Sequence, residues 1–282
     1  CVANMYAGNP ICCLTNPFLG HEAEPIAKTE NPKKVMVIGG GVAGLCAAFI
    51  AKEKGHEVTL YEAGDVLGGN MRLAAYPPGK GDITNMIRSY IHRCQKDGVK
   101  IVMNCEVTPE LIKEEKPDSV IIATGSKTLI LPIEGIDNPA IIHGSDLLDG
   151  KRPAGKKVLV VGCGMVGCET AAFLGEQEHD VTVIEFRDTV GADVIHEHRV
   201  YLMKDFEDYG IKEITRAKVC KFYEDGVEYE TADGVRHETR GYDSVILSMG
   251  FRNYNPLEEK IKDLVPETHV IGDAIRARRA LD

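Results

Sequence analysis

One pattern occurs twice in this chain, and it leaves few folds open. Val35-Met36-Val37-Ile38 runs straight into Gly39-Gly40-Gly41-Val42-Ala43-Gly44, and Val58-Thr59-Leu60-Tyr61 ends on Glu62. Val158-Leu159-Val160-Val161 runs into Gly162-Cys163-Gly164-Met165-Val166-Gly167, and Val181-Thr182-Val183-Ile184 ends on Glu185. In both copies the acid stands 23 residues after the first glycine of G-x-G-x-x-G. An unbroken apolar run is what a parallel strand buried on both faces requires, so each copy reads as a β-α-β unit with a glycine turn between strand and helix.

Each glycine answers a separate demand. Gly39 and Gly162 permit the tight turn out of the strand. Gly41 and Gly164 let the backbone approach a pyrophosphate, and Gly44 and Gly167 let helix and strand pack closely. The phosphates then lie at a helix N-terminus, where unpaired N–H groups and the dipole favour negative charge. That brings in Val42, Ala43, Met165 and Val166. Glu62 and Glu185 are placed to accept hydrogen bonds from a ribose 2′-OH. A carboxylate at Glu185 repels a 2′-phosphate and favours NADH over NADPH, whereas Arg187, two residues on, could bind such a phosphate.

A chain of 282 residues is long enough for two domains with their own cores. Its net charge of −10 argues against a nucleic-acid partner. No apolar run approaches the ~20 residues of a membrane span, and the first 30 residues lack the basic head and apolar run of a secretion signal. Nine cysteines, an odd number without any C-x-x-C, do not read as a disulfide framework or a redox dithiol. A reducing cytoplasm is the expected setting. An oligomer is left open.

Residues 1–32 read as an irregular linker punctuated by Asn9-Pro10, Asn16-Pro17, Glu24-Pro25 and Asn31-Pro32. Residues 33–150 read as the first part of one dinucleotide domain, 151–250 as a second domain inserted into it, and 251–282 as the return. Helices are expected near 42–54, 83–96, 109–115 and 194–208. An antiparallel meander is expected over 218–239, turning at Asp225-Gly226 and Asp233-Gly234. Ala123-Thr124-Gly125 closes a strand of the first domain and is echoed by Ser248-Met249-Gly250 in the second. The fold class is α/β, with two Rossmann-like domains. Asp273, after Gly272, is either a turn residue or an acid that holds a polyol hydroxyl. His143, His196 and His198 have no metal-ligand spacing and read as exposed or capping residues.

Gly39–Gly44 with Glu62, Ala123-Thr124-Gly125, Gly162–Glu169 and Gly272-Asp273 together resemble the two-dinucleotide-binding-domain flavoproteins. The resemblance implies that the first domain binds the ADP half of FAD, with Ala63, Gly68, Gly69, Asn70, Val107, Ala123, Thr124 and Gly125 joining its glycines and Glu62. It implies that the inserted domain binds NAD(P)H, with Met249 and Gly250 at its edge and Glu169 near the nicotinamide end. Gly272-Asp273 would meet the ribityl-phosphate region. Cys13-Leu14-Thr15-Asn16-Pro17, Gly20-His21-Glu22, Leu67-Gly68-Gly69, Ala74-Ala75 and Pro77-Pro78-Gly79-Lys80 are similar to a narrower group: the 2,4-dienoyl-CoA reductase, trimethylamine dehydrogenase and 2-enoate reductase family, related to old yellow enzyme.

Members of that family begin with an FMN-holding barrel, followed by a four-cysteine 4Fe–4S segment and then FAD and NAD(P)H domains. Electrons pass from NAD(P)H through FAD and the cluster to FMN. This sequence carries no barrel, and it starts at Cys1 and stops at Ala280-Leu281-Asp282, in what reads as the start of a helix. It therefore reads as a piece of a larger polypeptide, with the barrel as its missing partner. Cys1 and Cys13 match the third and fourth cluster ligands, and two thiolates cannot hold a cluster that needs four. FMN and the cluster are thus expected only in the full-length parent, and free thiols in this chain. The expected role is an electron-input module. The rival expectation is a scaffold whose first site holds ADP, as in trimethylamine dehydrogenase-like members.

Overall fold

The computed structural model describes residues 2–278. They divide into two compact units. The first consists of the stretch through Ala75, Gly81–Lys127 and the chain from Arg252 on; the second consists of Tyr76–Lys80 and Thr128–Phe251. The changeover falls at Lys127, not at the expected residue 150. The reason is burial: Ile136, Ile141, Ile142 and Leu147 all lie in the core clusters of the second unit.

In the first unit a short helix, α1 (Val2–Tyr6), leads into an irregular stretch. This stretch lies on the unit's core through Leu14 and Phe18, and the Tyr90 hydroxyl donates to the Leu14 carbonyl at 2.6 Å. β1 (Lys34–Ile38), α2 (Val42–Glu53) and β2 (Glu57–Tyr61) form the first β-α-β unit. There follow α3 (Asn70–Leu73), α4 (Asp82–Lys96), β3 (Lys100–Val102), α5 (Pro109–Glu115), β4 (Ser119–Ile122) and β5 (Ser126–Thr128). α4 buries Met86, Ile87, Tyr90 and Cys94, one face at helical spacing. α5 opens on a Thr108 side chain that caps the Leu111 N–H, with proline in its first turn.

The second unit runs through β6 (Ile142–His143), α6 (Gly144–Leu148), β7 (Lys157–Val161), α7 (Met165–Glu176), β8 (Asp180–Ile184), α8 (His196–Asp208) and β9 (Lys212–Ile214). The meander β10 (Lys218–Tyr223), β11 (Gly226–Glu230) and β12 (Arg236–Thr239) is antiparallel and turns where the Asp-Gly pairs stand. β13 (Ser244–Leu247) completes a parallel sheet in the order β6-β13-β7-β8-β9.

The chain returns through β14 (Phe251–Asn253), which pairs with β5, then α9 (Glu258–Ile261) and β15 (Glu267–Val270). β15 extends the first parallel sheet to the order β15-β4-β1-β2-β3. In each sheet the glycine-bearing strand is central. The chain lays strands on one side of it and later on the other, which opens a crevice at its C-terminal end, the place where such sheets bind ligands. Among the described residues no helix is long and apolar enough to cross a membrane.

Candidate functional site

The first crevice is built around Gly39, whose φ of +112° only glycine adopts readily. A Cβ there would stand 2.3 Å from the Ala123 carbonyl oxygen, and one on Gly44 would stand 1.9 Å from the Gly39 oxygen. The tight turn expected at Gly39 and the close packing expected at Gly44 are therefore present. Glu62 holds the loop from behind: its two oxygens accept the N–H groups of Gly40 and Gly64, each at 2.7 Å. Each oxygen keeps acceptor capacity for a ribose hydroxyl. The Gly68 N–H donates to the Gly40 carbonyl at 2.8 Å, and a Cβ on Gly69 would lie 3.1 Å from the Gly41 Cα. Among the described residues a Cβ at Gly41 would meet nothing within 4 Å, and no side chain caps α2. The cradle in front of Val42 and Ala43 is open.

Gly272 comes so close to Ala43 that a Cβ would stand 2.9 Å from the alanine Cβ. Asp273 accepts the Ser126 hydroxyl at 2.8 Å and the Arg278 N–H at 3.1 Å. Asn70 in turn donates to the Ser126 carbonyl at 3.1 Å and lies 3.3 Å from its hydroxyl. Ser126 therefore joins two expected site residues without having been singled out; one serine after a glycine turn makes no pattern. Thr124 donates its hydroxyl to the Tyr254 carbonyl, and Gly125 accepts the Tyr254 N–H. Ala63 is exposed. The Val107 side chain is buried in the core with Ile38 and Tyr61, which leaves only its backbone to meet a ligand.

The second crevice repeats this geometry. Gly162 has φ +88°, and a Cβ there would stand 2.7 Å from the Ser248 carbonyl oxygen and 3.0 Å from the Met249 Cα. A Cβ on Gly167 would stand 2.0 Å from the Gly162 oxygen. Glu185, only 8% exposed, accepts the Cys163 N–H at 2.7 Å and the Arg187 N–H at 2.9 Å. The Arg187 side chain is exposed. Met249 packs on the sheet core, and the Gly250 carbonyl accepts the Leu129 N–H. The Val166 carbonyl accepts the Thr170 hydroxyl. One feature has no counterpart in the first unit: Asp193 accepts the Met165 N–H at 2.9 Å, and its carboxylate oxygens lie 3.1 and 3.2 Å from the Cβ position of Gly164.

Glu169 is 5% exposed, and one of its oxygens receives two donors: Lys80 Nζ at 2.6 Å and His198 Nε2 at 3.3 Å. Burial pushes this carboxyl up. The His198 hydrogen bond and the Lys80 charge more than reverse that, and hold it below the usual carboxylate range. His198 is therefore a partner of a buried acid, not merely an exposed or capping residue as its lack of ligand spacing suggests. Lys80 stands 89 residues away in the chain and arrives on the Tyr76–Lys80 loop.

Cys13 is a half-buried free thiol, and Cys1 lies outside the described residues. Among the described residues no three His, Cys, Asp or Glu side chains gather as a metal would require, so they do not assemble a four-thiolate cluster site. Cys46 packs against the core of the first unit, and burial pushes its thiol up. Cys163 and Cys168 lie 3.2 Å apart, sulfur to sulfur; that contact, burial and the Glu185 charge hold the Cys163 thiol far above its ordinary value. The first cradle and both acids fit the ADP moiety of a dinucleotide, and the second glycine loop has the same backbone shape with the Asp193 carboxylate standing at its phosphate end.

Residues 33–268 match the family described as pyridine nucleotide-disulphide oxidoreductase. A bilirubin reductase of Mediterraneibacter gnavus is 33% identical over 93% of this chain and 41% of its own length. A cinnamate reductase of Clostridium sporogenes is 31% identical over 100% of this chain and 42% of its own. The solved complex of 2-naphthoyl-CoA reductase superposes with a TM-score of 0.92 at 32% identity, covering 99% of this chain and 43% of that one. The chain thus spans less than half the length of these relatives. The reductase family indicated by Cys13–Pro17 and Pro77–Lys80 is the one in which the relatives fall.

Proposed function

The chain belongs to the pyridine nucleotide-disulphide oxidoreductase family of FAD- and NAD(P)H-binding oxidoreductases, and from that premise we propose that it is the electron-input module of a larger flavin reductase. In this reading the first unit holds FAD and the second NADH. The single observation that carries it is the pair of complete glycine loops, each closed from behind by its own acid. The chemistry supplied by the bound pair is hydride uptake from the reduced nicotinamide and one-electron release, toward a 4Fe–4S centre and FMN held in a barrel partner.

This chain's own residues bind and orient. Glu62 and Glu185 fix their loops and offer free lone pairs to ribose hydroxyls. Glu185 disfavours a 2′-phosphate, which supports NADH over NADPH. Glu169, kept anionic by Lys80 and His198, presents an acceptor for a carboxamide N–H at the nicotinamide end. Asp273, held by Ser126, meets the polyol chain of the flavin. An odd number of cysteines without C-x-x-C supports a reducing, cytoplasmic setting.

The test is the identity of the nucleotide that co-purifies with the full chain, together with its absorbance. Released FAD and NADH-dependent bleaching support the module. Released ADP without a flavin that can be reconstituted sinks it in favour of a nucleotide-binding scaffold.

A further inference from the structure

The two loops differ at the one place where their ligand phosphates belong. In front of α2 the cradle at Gly41 is open; in front of α7 a carboxylate fills it, on the Met165 N–H and against Gly164. We propose that Asp193 is a built-in competitor for the pyrophosphate of the dinucleotide at the second site, and so an affinity-determining residue of that site. The inference rests on reading the second unit as the NADH site.

Two independent features place the carboxylate where a pyrophosphate belongs. The N–H it takes is one of the unpaired donors that open the helix. The glycine it covers is the one whose missing side chain admits a pyrophosphate. Two anions cannot share that donor, so a nucleotide enters only when Asp193 leaves.

The surrounding segment lets the side chain leave without moving the backbone. Val190 and Val194 are buried in the core on either side, while Asp193 itself is exposed. The Gly191 N–H donates to the Cys163 carbonyl at 2.8 Å, and Arg199 holds Thr189 and Val190. The first unit shows the neutral alternative. Asn70 stands 31 residues after its first glycine, as Asp193 does after its own, and Asn70 turns to Ser126 instead of to the helix.

A ligand that must first displace an internal acceptor binds more weakly by the fraction of time the site is free. In the full chain, Asp193→Ala should therefore tighten NADH binding about fivefold to tenfold by equilibrium titration. The same variant should melt lower without ligand, because α7 loses its cap. It should also shift the Met165 amide resonance in the free protein. Asp193→Asn, which keeps an acceptor but loses the charge, should fall between wild type and Asp193→Ala, and serves if the alanine variant folds poorly. NADH binding that is unchanged or weaker in both variants, with wild type binding normally, overturns the competitor role alone. Absence of NADH binding in wild type and variants alike overturns the site reading, and the inference with it.

Discussion

The glycine loop of the first unit is open at its helix N-terminus and that of the second is closed by a carboxylate, although the two loops share their tight turn, their close packing and their acid. Gly44 and Gly167 approach the preceding glycine carbonyl to nearly the same distance, and Glu62 and Glu185 each tie two backbone N–H groups. The motif therefore dictates backbone geometry and leaves occupancy to residues outside it. A second contrast makes the same point. Seven residues after the first glycine stand Cys46 in one copy and Glu169 in the other. Burial outweighs the Tyr90 hydrogen bond and the Arg93 charge at Cys46 and pushes its thiol up, whereas Glu169 is paired with two donors that keep it charged.

The largest effect should come from the shared geometry. Gly44→Ala and Gly167→Ala each drive a methyl into a backbone carbonyl, and each should cost its unit about 3 kcal/mol in urea unfolding. A much smaller loss for one of them would break the equivalence of the loops. Next come the acids. Glu62→Ala and Glu185→Ala each leave two loop N–H groups without their acceptor, at about 1–3 kcal/mol, with the greater loss at the more buried Glu185. Glu185→Ala should also weaken NADH binding and narrow the preference over NADPH; unchanged dissociation constants for both dinucleotides would remove it from the ribose role.

The smallest effect is the pH dependence that Glu169 brings to the second unit. The Glu169 carboxyl is held below its usual range. Its stabilisation is therefore complete above the unfolded carboxylate value of about 4.3 and is lost as the pH falls through the lowered native value. Melting curves of Glu169→Gln should lose less stability on acidification from about pH 5 than wild type does. Parallel curves would mean that the pairing with Lys80 and His198 adds no pH-dependent stability.

Much of this was legible in the residues. Unbroken apolar runs marked β1 and β7, the closing acids Glu62 and Glu185 marked the ends of β2 and β8, the spacing of Met86, Ile87 and Tyr90 marked α4, and the Asp-Gly pairs marked both meander turns. The close contacts of the glycines and the place of each acid follow from their spacing. The changeover at Lys127 was not legible, because nothing in the composition of 128–150 tells which core its isoleucines and leucines fill.

The sequence by itself determined the two β-α-β units, because strand burial, glycine turns and the reach from turn to acid are local properties of short segments. Only the tertiary structure decided which side chains meet at those units: Lys80 and His198 on Glu169, Ser126 between Asn70 and Asp273, and Asp193 on the Met165 N–H. Such meetings join residues 28 to 147 positions apart. They are set by how loops close over a packed sheet, and no periodicity along the chain records that.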